Sequence, residues 1–365
     1  SGLLLMMAAR AGAIEAVGCE VSPRLEEAAQ RVLQQNGFIS GSARGNSCEV
    51  ALHQANSQDL ELPRRYDILL AELMDYSGLG ESLANLFAEA KPRWLVPGGR
   101  VIPARLRLHA FLIEFPFPRV QPNVDLSPLE PFICNGRSAP FCSLAGTESM
   151  PAALTGNEDW RLMSDVVEFL DLDLQSLERV EPDGPRPVIF HATESGLVNA
   201  VAWFFVCDLD DEGNDSICTA PLGHPAFVRY SPVRTHWYQA MQPTGPLAVT
   251  PGQEINLGFA HDGTVINWFM PAEVVEASAR LGRRLYEHAG TPASAIDAHE
   301  RWFRTLLEVG RTELPTRREA VRTALEPLSG EVGAEQRQWL LRFAAQVGEF
   351  GHEATCADRL LGLSC

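Results

Sequence analysis

Lysine is almost missing. The chain has one, Lys91, so the other 29 of its 30 basic residues are arginine. Forty-seven acidic residues outnumber them, and the net charge of −17 leaves no broad basic face of the kind that nucleic acid or an anionic membrane requires. Such acidity suits a cationic partner. Paired metal-ligand cysteines are missing too. Cys19, Cys48, Cys134, Cys142, Cys207, Cys218, Cys356 and Cys365 form no CxxC pair and have no histidines at ligand spacing. A disulfide framework and a structural zinc are therefore not expected, and reduced, mostly buried thiols are. No apolar run approaches the ~18 residues of a spanning helix, since the longest, Leu197 to Cys207, is broken by Asn199. The opening run Leu3 to Ala9 lacks the basic flank of a secretory leader. These absences predict a cytoplasmic or nuclear protein without a membrane partner.

What is present is ordinary globular material, 45% hydrophobic and 21% charged over 365 residues, enough for two or three domains. In residues 1–103 helix-like and strand-like segments alternate. Leu3 to Ala11 suits a helix ending near Gly12, and Ala16 to Val21 a buried strand. Ser22 is an N-cap candidate with Pro23 at the first helical position, and Asn36-Gly37 supplies the stop. Tyr66 to Leu73 reads as a strand and Ser82 to Arg93 as a helix ended around Pro92. This βαβ rhythm predicts a parallel sheet covered by helices. Residues 104–270 read as β-rich, a barrel or sandwich, with strands at Arg105–Glu114, Val188–Ala192, Leu197–Cys207, Leu247–Val249, Ile255–Phe259 and Thr264–Phe269. Residues 116–160 carry Pro, Gly and Ser without periodicity, an excursion from that domain. From Pro271 to Cys365 four helices are expected.

The chemistry concentrates between Asp67 and Glu81. Glu72 stands at the carboxyl end of a strand, where open α/β sheets bind ligands, and Glu81 follows nine residues later. Neither a helix nor a strand at that spacing puts both carboxylates on one face. They converge only if the segment loops back, which Gly78 and Gly80 allow. Two carboxylates there would clamp a planar cation such as guanidinium. The plainer alternative is an ordinary strand end and a first-turn helix glutamate. Glu20, 18 residues after Gly2, lies where nucleoside-binding folds place a ribose-binding acid. Asp208 to Gly213 imitates the start of a calcium loop, but its twelfth position is Thr219, so a hairpin turn is expected.

Taken in order, these residues resemble the protein arginine methyltransferase family. Residues 1–13 are similar to the end of that family's glycine-rich first motif, with Gly2 its last glycine. Glu20 resembles the ribose-binding acid, and Glu72 to Glu81 the double-glutamate loop. Trp94 to Gly99 with Val101-Ile-Pro103 resembles the crossing into the β-barrel, and Thr235-His236-Trp237 the Thr-His-Trp loop. Asp75, Met6-Met7 and Gln35 to Phe38 are similar to the branch that includes the monomethylating enzymes, whereas Tyr76 and Ser82 also resemble dimethylating members.

The resemblance implies an α/β Rossmann-like methyltransferase domain (1–103), a β-barrel substrate domain (104–270) with a dimerising excursion at 116–160, and an α-helical extension (271–365). It implies methyl transfer from S-adenosylmethionine to arginine in basic proteins, histones among them, with a homodimer possible. Glu72, Glu81 and His236 would be catalytic, Met74 and Trp237 would bind substrate, and Gly2, Glu20 and Gln58 or Asp59 would bind cofactor. The family's N-terminal helices, its first strand and the leading glycines do not precede Gly2. That implies weak S-adenosylmethionine binding unless such residues lie upstream. The competing expectations are a catalytically inactive scaffold that uses its helical tail, and a small-molecule methyltransferase.

Overall fold

A computed structural model describes residues 2–38, 48–115, 149–157, 159–181, 183–269, and 293, 294 and 297. Apart from 293, 294 and 297, which are helical, the helices expected over 271–365 lie outside the described residues, as does most of the 116–160 excursion. The chain divides into two compact units, Ser1–Ala71 with Leu86–Ile102, and Glu72–Asn85 with Pro103–Cys365.

The first unit starts with α1 (Leu3–Arg10), β1 (Glu15–Glu20), α2 (Pro23–Gln35) and β2 (Glu49–Gln54). Ser22 is extended and its side chain accepts from the Leu25 amide at 3.5 Å, with Pro23 at the first helical position. Asn36 then ends α2, and Gly37 adopts φ 82°. β1 and β2 pair in parallel from Glu15 with Glu49 to Glu20 with Gln54. Met6, Ala9, Ala16, Leu33, Cys48 and Val50 form their core. β3 (Tyr66–Leu70), α3 (Leu83–Trp94, of which Leu86 onward belongs here) and β4 (Leu95–Ile102) follow. β3 and β4 are likewise parallel.

The sequence suggests one sheet, whereas β1–β2 and β3–β4 are two separate pairs. β1 and β3 are linked by side chains. The Tyr66 hydroxyl donates to Glu15 Oε1 at 3.0 Å, and Cys19 and Leu69 both pack on Leu60, Ala90 and Trp94. α3 runs past Pro92 to Trp94. The Arg93 guanidinium anchors that end by donating to the Gln58 and Leu60 carbonyls at 2.9 and 2.8 Å.

The second unit is antiparallel β. Its strands are β5 (Arg105–Glu114), β6 (Met150–Ala152), β7 (Arg161–Leu162), β8 (Val167–Asp173), β9 (Asp183–His191), β10 (Gly196–Asp208), β11 (Ser216–Cys218), β12 (Gln239–Val249), β13 (Glu254–His261) and β14 (Ile266–Phe269). One sheet runs β6-β12-β10-β5-β7, with β11 beside β10 and β8 beside β5. A second runs β14-β13-β9. Gln242 on β12 joins them, donating to the Trp268 carbonyl at 2.8 Å and accepting from its amide at 2.9 Å.

β10 is buried from Val198 to Asp208. That explains an unbroken apolar run where a half-exposed strand would alternate. Its even-numbered residues Ala200, Ala202, Phe204 and Val206 enter a core with Phe111, Trp160 and Phe227. Trp203 faces the other way, 6.4 Å from the Trp268 ring. Asn199, which interrupts the run, exchanges hydrogen bonds of 2.7 and 2.9 Å with the Phe115 backbone. A register shift in the β10–β12 pairing occurs at this point. Asp208 to Gly213 is a hairpin turn, closed by Leu209 N–H to the Asp215 carbonyl at 2.8 Å.

Candidate active site

Residues 72–81 fold with the second unit and sit on the face of β10 opposite the Phe204 core. The Trp203 indole donates to the Ser77 carbonyl at 3.2 Å. Gly78 adopts φ 89°, and a Cβ there would fall 2.9 Å from Leu108 Cδ2 and 3.5 Å from Phe205 Cδ1. Leu108 and Phe205 are register partners on β5 and β10, so the loop turns directly over this strand pair. Asp75 holds the turn from inside. Its Oδ1 accepts from Ser77 N at 3.0 Å, Ser77 Oγ at 2.7 Å and Gly80 N at 2.9 Å.

The two glycines therefore act differently. Gly78 supplies a left-handed backbone. Gly80 supplies space, because a Cβ there would lie 2.2 Å from Asp75 Oδ2. Glu72 and Glu81 are both exposed at the ends of this segment. The Cys207 thiol is buried beneath it. Burial chiefly, then the charges of Asp208 and Glu72, push its pKa up to about 12, so it is an inert thiol. Cys19, Cys48, Cys207 and Cys218 are all free, as the sequence suggests.

Thr235, His236 and Trp237 meet the same loop. Trp237 Nε1 donates to the Met74 carbonyl at 2.7 Å, and its ring stands edge-on to Phe205 at 5.4 Å. Thr235 Oγ donates to the Trp237 carbonyl at 3.2 Å. His236, exposed, lies on Trp237 with ring centroids 4.2 Å apart. The Met74 side chain is buried, so what it presents to Trp237 is its carbonyl. Thus Met74, His236 and Trp237 are brought together beside the Glu72–Glu81 segment.

The residues expected to bind cofactor all lie in the first unit. Gly2 caps α1 at φ 71°. Glu20 ends β1, and its Oε1 accepts from Ser22 N at 2.9 Å. Gln58 and Asp59 sit in a turn opened by Asn56, whose side chain accepts from Gln58 N at 3.0 Å and whose carbonyl accepts from Asp59 N at 3.1 Å. Gln58 also reaches Glu89 on α3 at 3.3 Å. Among the described residues no group of three or more His, Cys, Asp or Glu is placed to hold a metal ion. No described helix is long and apolar enough to cross a membrane.

No protein-family model matches the chain. Over 313 residues it is 28% identical to protein arginine N-methyltransferase 7 of Drosophila pseudoobscura pseudoobscura, a match covering 78% of this chain and 43% of that protein. Over 261 residues it is 29% identical to the arginine N(omega)-methyltransferase of Streptomyces achromogenes subsp. streptozoticus, covering 70% of this chain and 65% of that one. Over more than two thirds of its length the chain is similar to protein arginine N-methyltransferases. It spans less than half the length of the Drosophila relative.

The structure of the Trypanosoma brucei PRMT1 enzyme-prozyme heterotetrameric complex with AdoHcy superposes with a TM-score of 0.53 at 19% identity, covering 71% of this chain and 74% of that one. At that identity the likeness shows the fold alone, a Rossmann-like unit and a β-rich unit. Family resemblance points to Glu72, Glu81, His236 and Trp237, but not to the residues that hold them. Trp203 is an ordinary core aromatic in the sequence. Asp75 and Tyr76, whose hydroxyl donates to the Ser149 carbonyl at 2.8 Å, are visible there only as branch markers.

Proposed function

We propose that the chain transfers a methyl group from S-adenosylmethionine to a guanidine nitrogen of arginine in basic proteins. The observation that supports this best is the packing of the Thr235-His236-Trp237 loop on the Glu72–Glu81 segment through the Trp237–Met74 hydrogen bond of 2.7 Å. One rigid β-sheet face then carries both elements.

Glu72 and Glu81 accept hydrogen bonds from the guanidinium and hold its plane. Drawing positive charge toward the nitrogens they bind leaves the third nitrogen richer in electrons. The guanidinium, with a pKa above ~12, keeps its proton at neutral pH, so the proton leaves with or after transfer and needs no strong base beforehand. The bound cofactor supplies a methyl already activated by its sulfonium, which leaves alignment as the main task of the protein. The first unit fits that group. Glu20 ends a parallel strand, where such folds bind nucleosides, and uses one carboxylate oxygen to cap its own turn. The second oxygen is directed by that bond and suits a ribose diol. The net charge of −17 adds a weak attractive field for arginine-rich substrates. Closure of the two second-unit sheets into a barrel, and dimerisation through residues 116–160, belong to the same proposal.

The test is radiolabelled methyl transfer to an arginine-rich peptide. The expected result is labelling by the unaltered chain and none by Glu72→Gln or Glu81→Gln. Full labelling by both variants would sink the clamp. Peptide binding without any transfer would favour a non-catalytic interaction module.

A further inference from the structure

Ser82, immediately after Glu81, has φ 62°, and only one other described non-glycine residue, Ser231, shares that left-handed backbone. A serine opening a helix is normally extended, its hydroxyl capping the first turn. Ser82 instead turns its hydroxyl to Thr264 Oγ1, 3.0 Å away. Asn85 Nδ2, in the first turn of α3, reaches the same oxygen at 3.4 Å. A sparsely populated backbone persists only where its surroundings hold it, so the holder can be sought around Thr264.

The turn between β13 and β14 is itself rigid. Asp262 Oδ1 accepts from Thr264 N at 2.9 Å and Val265 N at 2.7 Å. His261 Nδ1 accepts from Gly263 N at 3.2 Å, and burial, against the charges of Asp183 and Asp262, lowers the pKa of this ring. Gly263 has φ 89°, and a Cβ there would fall 2.4 Å from Val180 Cγ1 and 3.3 Å from Asn85 Nδ2. The turn therefore lies against both Val180 and Asn85, and glycine is needed for its left-handed backbone and for the approach to Val180.

We propose that the Asp262–Thr264 turn is a positioning element for Glu81. Thr264 holds Ser82 left-handed, and the backbone of Ser82 sets the direction from which the Glu81 side chain leaves the loop. Thr264 touches no reacting atom, so it is a positioning residue. Its effect on catalysis rests on the function proposed above, while its effect on the loop does not.

Thr264→Val and Ser82→Ala in the full chain, with Thr264→Ser as the conservative rescue, test this by two readouts. Hydrogen exchange at residues 79–85 should quicken at least tenfold in both variants, while amides of β5 and β10 exchange unchanged and Thr264→Ser stays like the parent. In methyl transfer, kcat should fall about tenfold with peptide KM little changed, since small misplacements of a catalytic group act on the reacting step. The double variant should be no worse than either single one. Unaltered exchange at residues 79–85 in Thr264→Val would overturn the proposal, as would full additivity in the double variant. If Thr264→Val does not fold, Ser82→Ala decides alone by the same exchange criterion. A parent chain that fails to methylate would defeat the functional reading, while the exchange result would still decide the positioning.

Discussion

Trp237 Nε1 and the Met74 carbonyl, 2.7 Å apart, tie two loops 163 residues apart in the chain. Trp237→Phe keeps the ring against Phe205 and removes only the donor. Loss of ~1 kcal/mol of stability is expected from one partly buried hydrogen bond. Methyl transfer should drop on the order of tenfold as the Thr-His-Trp loop shifts. Urea denaturation read beside initial rates checks both, and an unchanged rate would detach this hydrogen bond from function.

Asp75 and Gly80 form a coupled pair. Gly80→Ala places a methyl 2.2 Å from Asp75 Oδ2, so the aspartate must give up its three hydrogen bonds. A destabilisation of about 1–3 kcal/mol is expected, in the range of overpacked sites. In the Asp75→Gly background the same alanine meets no carboxylate and should cost clearly less. A double-mutant cycle by urea unfolding measures the difference, and simple additivity would contradict the arrangement.

His109 makes stability fall in mild acid. It is buried on β5, stacked on Phe204 at 5.2 Å and edge-on to Tyr230 at 5.0 Å. Burial first, then Arg107 and Arg229, lower its pKa from 6.5 to about 4 against an opposing pull from Asp171. Glu168 Oε2 lies 3.4 Å from Nε2. The unfolded chain takes up the proton near 6.5 and the folded chain only near 4. Between those values the unfolded state binds more protons, and stability declines as pH is lowered, by up to about 3 kcal/mol. Urea midpoints from pH 7 to pH 5 should show this slope, and His109→Phe should flatten it.

Gln242 carries two buried hydrogen bonds to Trp268, of 2.8 and 2.9 Å. Gln242→Leu keeps the volume and strands both backbone groups, for a loss of about 2–4 kcal/mol. A melting temperature within a degree of the parent would show that the two sheets do not depend on this bridge.

Local signals carried most of the secondary structure. Ser22-Pro23 and Asn36-Gly37 bracket α2, and alternation marks β5. Tertiary context decided the rest. β12 was read only at Leu247–Val249 because Pro243, Gly245 and Pro246 mask a strand that begins at Gln239. β4 was hidden by Pro97-Gly98-Gly99 in the same way. In the candidate site the resemblance marked Glu72, Glu81, His236 and Trp237, and Gly78 and Gly80 were both legible as turn residues. That Gly80 serves by leaving space was not, because it depends on where the Asp75 side chain goes. Thr264 gave no signal, since its partner Ser82 lies 182 positions away.

The supports of the Glu72–Glu81 segment also have a place in time. Trp203 and Trp237 bind it across separations of 126 and 163 residues, and Thr264 binds the adjoining Ser82 across 182. During synthesis the segment leaves the ribosome long before any of them. Long loops must close before such contacts can form, so the segment has only the local bonds of Asp75 until these distant partners have been made and docked. The proposed arginine clamp is among the last parts of the described fold to gain its supports.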